Sequence, residues 1–151
     1  MNFRKELKVI EIPKWGGYLR KSWENIFANP LSKEDKEEIY LAHFLWHLCS
    51  WDAVNCFIEG EAIKLFNQHK KRKCTIFYQD INEAYLVENA KNLRIQDLPY
   101  DPLHMFYGDI YVMDWEQKWT FIMTHEEKCG PYFISHSYYE GTILTYLPLE
   151  K

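Results

Sequence analysis

Apolar residues in the first half of the chain recur mostly at helical spacing. A short alternating stretch at 7–13 predicts a strand, and residues 15–28 then place large apolar side chains three and four positions apart. Residues 32–51 begin with Ser32 as a candidate N-cap and acids in the first turns, and their second half is apolar on nearly every side. Residues 59–73 again show helical spacing and end in a basic run. This pattern predicts one strand followed by three helices.

The second half of the chain changes to a period of two. Alternating stretches at 74–80 and 83–89 flank a short turn, and stretches at 109–114 and 119–125 flank a four-residue turn, so each pair predicts a hairpin. A β-rich run at 142–147 lies near the end of the sequence. Helices first and then strands joined by short turns are typical of an α+β domain. We therefore expect N-terminal helices packed on a largely antiparallel sheet built from two C-terminal hairpins.

Composition then bounds the class of protein. A chain of 151 residues with 47% hydrophobic and 26% charged residues is expected to form a single soluble domain. Its net charge of −4 argues against nucleic-acid binding. The N-terminus lacks an apolar signal-peptide core and no run of 18 apolar residues exists, so we expect a cytoplasmic protein without a membrane span. The four cysteines lack CxxC spacing, which predicts reduced thiols rather than a structural zinc site.

Several segments, taken in their order along the chain, resemble one known family. They extend over about residues 12–133 and are "IPKWGGYLRKSWENIFA" (12–28), "FLWH" (44–47), "EGEAIKLF" (59–66), "CTIFYQ" (74–79), "YLVENA" (85–90), "DIYVMDWEQKWTFIMTHE" (109–126) and "CGPYF" (129–133). Together they are similar to the DUF4275 family, a bacterial domain of unknown function found mainly in Firmicutes. The resemblance implies a small bacterial cytoplasmic domain with 134–151 as a C-terminal extension, and it transfers no catalytic residue.

Two histidines, His43 and His47, would share one face of the predicted helix 32–51. Histidines at this spacing can hold a metal ion when a third ligand arrives from elsewhere, and His125 is the candidate. Position 44 holds Phe where an HExxH motif has Glu, so a zincin-type general base is missing. The alternative is that both histidines form hydrogen bonds at the polar seam of a buried helix.

A second cluster, "THEEKCGPYF" at 124–133, contains the weak catalytic candidates His125, Glu126 and Cys129. Strand alternation would place His125 on the face of Trp119 and Glu126 on the opposite face, so the two are expected to diverge. The acids beside Cys129 disfavour an activated thiolate. The alternative is a polar strand end followed by a Gly-Pro turn. No glycine-rich phosphate loop is present, and we expect no cofactor.

Aromatic side chains are unusually frequent, since Trp, Tyr and Phe make up 17% of the chain. Large aromatics are common anchors of protein interfaces, so Trp15, Trp51, Trp115 and Tyr138 are candidate partner-binding residues. Small size, acidic charge and the absence of a complete catalytic motif favour a non-catalytic interaction module that binds a protein partner, of the inhibitor or immunity type.

The same sequence supports three further functional hypotheses. The first is a metal-dependent hydrolase that uses His43, His47 and His125 with Glu126. The second is self-association through the run 142–147 as an unpaired edge strand. The third is phosphate binding by the basic run at 69–73, but cations at the end of a helix more often complement its dipole, so nucleic-acid binding is not expected.

Overall fold

The computed structural model describes residues 3–136 and shows an α+β architecture. Its helices are α1 (Gly16–Phe27), α2 (Lys33–Glu38), α3 (His47–Ser50) and α4 (Glu59–Gln68), with one 3-10 helix at Ile95–Asp97. Its strands are β1 (Val9–Glu11), β2 (Phe57–Ile58), β3 (Cys74–Tyr78), β4 (Ala84–Val87), β5 (Ile110–Asp114), β6 (Trp119–Met123) and β7 (Tyr132–Ser135). The predicted α+β class is confirmed.

The strands form one antiparallel sheet of seven in the order β1-β4-β3-β5-β6-β7-β2, counted over residues 3–136. Consecutive strands β3 and β4 pair directly, as do β5 and β6. The prediction of a sheet built from two hairpins alone is too narrow, because β1 extends one edge while β7 and β2 extend the other. The strand predicted at 7–13 is confirmed as β1, whereas β2, with only two residues, is too short for a period of two to be recognised in the sequence.

Helices cover both faces of this sheet. Along β5, Tyr111 packs in the cluster that holds Trp23 of α1, whereas Val112 packs in the cluster that holds Phe66 of α4. Successive strand residues point to opposite faces, so α1 and α4 lie on opposite sides of the sheet. The core is therefore divided into two apolar layers with the sheet between them.

Helix α1 begins in close contact with the turn between β3 and β4. The Gly16 amide donates to the Asn82 carbonyl at 3.0 Å, and a Cβ built on Gly16 would lie 2.5 Å from the Asn82 Cα. A Cβ built on neighbouring Gly17 would have its nearest contact at 3.8 Å. The first glycine is therefore required by close backbone approach, and the second is not.

The predicted continuous helix over 32–51 is wrong. Ser32 is confirmed as the N-cap, with its hydroxyl accepting from the Asp35 amide at 3.1 Å, but α2 ends at Glu38. Tyr40 adopts φ 56°, and the Leu41 amide donates back to the Lys36 carbonyl at 3.0 Å. This is a Schellman C-cap, whose left-handed position is usually Gly, so the sequence carries no recognisable stop signal there.

Polar side chains of the sheet hold the irregular segment that replaces the predicted helix. The Leu45 amide donates to Gln79 Oε1 at 3.0 Å, and the Trp46 amide donates to the Tyr111 hydroxyl at 3.1 Å. That hydroxyl in turn donates to Gln79 Oε1. The sheet thus supplies the acceptors that a continuous helix would have supplied from its own backbone.

The basic run at 69–73 is not helical as predicted. Helix α4 ends at Gln68 and its C-cap, His69, is extended. Lys71 is nevertheless buried, and its Nζ donates to the Phe66 carbonyl at 2.6 Å. One cation of the run therefore does satisfy the last turn of the helix, as expected of a helix-terminal lysine.

The expectation that all cysteines are reduced is wrong for one pair. Cys49, at the end of α3, forms a disulfide with Cys56, seven residues further along the chain. Cys74 is a buried free thiol, and burial raises its pKa to about 12. Cys129 is also free and is partly buried.

No helix within residues 3–136 is long and apolar enough to cross a membrane. The candidate anchor Tyr138 and the candidate edge strand 142–147 lie outside the described residues.

Candidate functional site

The predicted histidine pair does not share a helical face. His43 is exposed in the turn after α2, where its amide donates to the Tyr40 carbonyl at 3.0 Å. His47 begins α3, and its Nδ1 lies 2.6 Å from the Ile39 carbonyl, which accepts its proton. The prediction fails because the Schellman turn at Tyr40 ends the helix that was expected to carry both histidines.

His125 lies near this segment but is separated from His47 by aromatic rings. Strand β6 ends at Met123, so His125 no longer follows the alternation that predicted its face. Its ring centroid lies 5.5 Å from that of Phe44 and 5.9 Å from that of Trp46, and both rings also contact His47. Among residues 3–136, no group of three or more His, Cys, Asp and Glu side chains is placed to hold a metal ion.

The contacts of His125 are instead with two carboxylates. The buried Asp109 accepts from the His125 amide at 2.8 Å and from its Nδ1 at 2.9 Å. Nε2 lies 3.3 Å from Oε2 of Glu126, so the expectation that His125 and Glu126 diverge is wrong. The Asp109 pairing places the proton on Nδ1 and fixes the orientation of the ring. No sequence pattern linked Asp109 to His125. Asp109 lies just before β5 and His125 just after β6, so the two meet only because these strands pair.

Cys129 is placed toward the core rather than toward His125. It packs against the apolar cluster that contains Trp23 of α1. Burial, with a smaller contribution from Cys129, raises the pKa of Tyr132 to about 12. The Thr124 hydroxyl lies within hydrogen-bond distance of the carbonyls of Glu126 and Cys129, and Gly130 turns the chain at φ 97°. The corner 124–133 is thus closed mainly by its own backbone.

The aromatic candidates divide into one isolated residue and one pair. Trp15, Trp51 and Trp115 are 42%, 49% and 45% exposed. Trp51 contacts Tyr40 and His47 beyond the end of α3, and it stands apart from the other two. Trp15 and Trp115 line a common cleft with Tyr18, which is 65% exposed. Sequence inspection named both tryptophans but missed Tyr18 and the fact that the three belong together.

This aromatic cleft lies between α1 and the turn that joins β5 to β6. It has a volume of about 470 Å³ and is lined by Trp15, Tyr18, Leu19, Ser22, Thr75, Met113, Asp114, Trp115, Glu116 and Gln117. Trp15 and Tyr18 make an edge-to-face contact with ring centroids 5.4 Å apart. Leu19 and Met113 are buried, so the cleft has an apolar floor beneath exposed aromatic walls.

A hydrogen bond ties the two walls of the cleft together. Gln117 adopts φ 63° in the turn, where its amide donates to the Asp114 carbonyl at 2.8 Å. From this position its Nε2 donates to the Ser22 hydroxyl of α1 at 2.7 Å. A non-glycine residue with positive φ persists only where the surroundings hold it, and such residues concentrate at functional positions. This hydrogen bond therefore joins the β5–β6 turn directly to α1 across the cleft.

The charges around the cleft are mixed but include two carboxylates on its rim. Burial raises the pKa of Asp114, whose Oδ2 accepts from the Lys118 amide at 3.1 Å. The Glu116 side chain is 66% exposed. Lys73, just before β3, does not line the cleft, but its Nζ lies 4.2 Å from the centroid of the Trp115 ring.

Comparison with known proteins places the chain in a family. The family model described as "Domain of unknown function (DUF4275)" matches residues 1–133. The chain is a member of the DUF4275 family. The resemblance recognised in the sequence is thereby confirmed, and residues 134–151 lie beyond the match. Neither the curated proteins nor the solved structures include a match to this DUF4275 chain.

This DUF4275 domain also has a larger apolar groove, of about 610 Å³, between the end of α1 and the loop closed by the disulfide. Phe27, Val54 and His136 are among the residues that line it. The aromatic cleft differs from this groove in that exposed Trp15, Tyr18 and Trp115 side chains form its walls.

Proposed function

We propose that this domain is a non-catalytic protein-interaction module, of the inhibitor or immunity type, and that the aromatic cleft is its partner-binding surface. The observation that supports the proposal is the grouping of three exposed aromatic side chains, Trp15, Tyr18 and Trp115, around one cleft. Trp and Tyr are enriched among the residues that dominate interface energies, because each buries a large area at a small entropic cost.

The cleft also has the preorganisation that tight interfaces need. Its walls are joined by the hydrogen bond from Gln117 to Ser22, so a partner does not have to order them on binding. Isolated exposed apolar residues need no explanation, whereas a contiguous apolar patch with a polar rim is typical of an interaction site.

The proposal is tested by capture from cells that naturally express the protein. Tagged wild type, a Trp15→Ala/Trp115→Ala double variant and a Trp51→Ala control would be crosslinked in the cell and compared by quantitative mass spectrometry. Trp51 is the matched control because its exposure is similar and it lies outside the cleft. We expect a stoichiometric protein partner with wild type and Trp51→Ala that is lost with the double variant. Equal capture by all three, or no stoichiometric partner, contradicts the proposal, provided thermal melts show all three folded.

The alternative of a metal-dependent hydrolase has less support. It requires His43, His47 and His125 to converge, and the described structure interposes Phe44 and Trp46 between His47 and His125. Elemental analysis of the purified protein is its direct test, and a stoichiometric transition metal would revive it.

Two further sequence-based predictions remain part of the proposal. A cytoplasmic location is predicted from the N-terminal sequence, while a disulfide such as Cys49–Cys56 is more typical of oxidising compartments. Fractionation of native cells distinguishes the two. Self-association through 142–147 predicts that truncation after residue 136 reduces the apparent size on gel filtration.

A further inference from the structure

We propose that the aromatic cleft receives a cationic side chain, an arginine or a lysine, from a basic segment of the protein partner. This inference rests on the proposed function and names the chemistry of its site. It is carried by three features of the cleft: a cation already bound to one of its rings, carboxylates on its rim, and an apolar floor.

The first feature is an internal precedent for cation binding. Lys73 Nζ lies 4.2 Å from the centroid of the Trp115 ring, within the range of a cation–π interaction. Trp is the strongest of the aromatic side chains in this interaction, and the second tryptophan of the cleft, Trp15, is 42% exposed. A guanidinium or ammonium group entering the cleft therefore meets aromatic faces of the kind that already holds an ammonium.

The second feature is the negative charge of the carboxylates on the rim of the cleft. Asp114 and Glu116 both line the cleft, and the chain as a whole carries a net charge of −4. An acidic peptide or a phosphate group would be repelled by these carboxylates, whereas a basic segment would be attracted and steered toward them. Two cations oppose these carboxylates. Lys118 Nζ lies 3.9 Å from Oε1 of Glu116, and Lys73 lies over the Trp115 ring, so a cationic ligand has to displace them or share their partners.

The third feature is the apolar floor formed by Leu19 and Met113. Arginine and lysine carry their charge at the end of a methylene stem, which is buried favourably along apolar surface while the charged head remains near polar groups. A cleft with an apolar floor, aromatic walls and a carboxylate rim matches that side chain along its whole length.

The probes are short peptides that alternate glycine with arginine, and matched peptides in which glutamine or glutamate replaces arginine. Binding would be followed by two-dimensional NMR of the indole N–H groups, assigned by single Trp→Phe variants. We expect the arginine peptide to shift the indole signals of Trp15 and Trp115 and to leave Trp51 unchanged. The Trp115→Ala variant should bind the arginine peptide roughly 2- to 30-fold more weakly, the range that one cation–π contact represents.

Charge variants give a test with opposite signs. Glu116→Gln should weaken binding of the arginine peptide and reduce its dependence on salt, whereas Lys73→Gln should strengthen binding because it frees the Trp115 ring and removes a like charge. Glu61→Gln and Lys64→Gln make the same charge changes on α4, on the other face of the sheet, and should have little effect.

The inference is overturned if the glutamine or glutamate peptide shifts the two cleft indoles as strongly as the arginine peptide, or if Lys73→Gln weakens binding. If either result is found while cellular capture still depends on Trp15 and Trp115, the proposed function stands, because the partner then binds the cleft through a group other than a cation. Loss of cleft-dependent capture instead refutes the proposed function itself.

Discussion

Replacement of Tyr111 by Phe is the most direct test of how the irregular segment 39–46, between α2 and α3, is held on the sheet. Tyr111 is fully buried, and its hydroxyl accepts from the Trp46 amide at 3.1 Å and donates to Gln79 Oε1. Burial raises the pKa of Tyr111 well above its ordinary value of 10.0, so the hydroxyl remains a proton donor at all ordinary pH values. Tyr111→Phe removes this one oxygen and changes the packing very little.

The expected cost comes from the group left without a partner. Trp46 is only 4% exposed, so its amide cannot turn to water once the acceptor is gone. A buried donor left unsatisfied costs about 1–3 kcal/mol, whereas the Gln79 oxygen keeps its bond from Leu45. For a chain of this size, that loss corresponds to a fall in Tm of about 2–12 °C.

Urea unfolding monitored by fluorescence would measure the loss in stability, and hydrogen exchange would locate it. We expect the Trp46 amide to lose protection while amides in β3 and β5 keep theirs up to the global limit. Tyr40→Phe, at a side chain that is 55% exposed, is the control and should change stability by less than about 0.5 kcal/mol. A Tyr111→Phe protein as stable as wild type, with unchanged protection at Trp46, would refute the described anchoring.

Three further predictions concern a close backbone contact, the disulfide and an ion pair. Gly16→Ala should destabilise by about 1–3 kcal/mol, because its Cβ would lie 2.5 Å from backbone atoms of the β3–β4 turn. Gly17→Ala should be neutral or stabilising by up to about 1 kcal/mol, because its Cβ would make only ordinary contacts at 3.8 Å, and urea unfolding compares the two variants. Cys56→Ser should lower the free energy of unfolding by about 2.5 kcal/mol, because the disulfide no longer restricts the unfolded chain. Alkylation of denatured wild type without a reductant should label Cys74 and Cys129 only. The guanidinium of Arg4 donates a hydrogen bond to Asp97 and lowers the pKa of that carboxyl below its ordinary value of 3.8. Asp97→Asn should therefore remove a contribution to stability that wild type loses in acid. In wild type, this contribution is complete above the pKa that Asp97 has in the unfolded chain, and it is lost as the pH falls through the lower pKa of Asp97 in the folded chain. Acid unfolding curves that coincide for wild type and Asp97→Asn would contradict the prediction.

Local sequence patterns were sufficient to predict secondary structure wherever a segment is regular and the segment it pairs with is adjacent in the sequence. The strands β3 to β6 follow the alternation from which they were predicted, and Ser32 caps α2 as its position suggested. In both cases the deciding interactions span only a few residues, so composition and spacing record them.

The residues of the candidate site come together only in the folded chain. Trp15 and Trp115 were named from composition, but they are 100 positions apart in the sequence, and only the packing of α1 against the sheet makes them neighbours in one cleft. His125 was named as well, yet its partner Asp109 could not be, because the pairing depends on the register of β5 against β6.

Tertiary structure overruled local preference most clearly at 39–46, between α2 and α3. That segment has the apolar composition of a buried helix, and an isolated helix there would satisfy its own backbone. In the folded chain, Gln79 and Tyr111 offer acceptors to Leu45 and Trp46, and Tyr40 takes a left-handed conformation that its side chain does not favour. Sequence periodicity records which residues are buried, but the direction of a buried segment is set by partners that are distant along the chain.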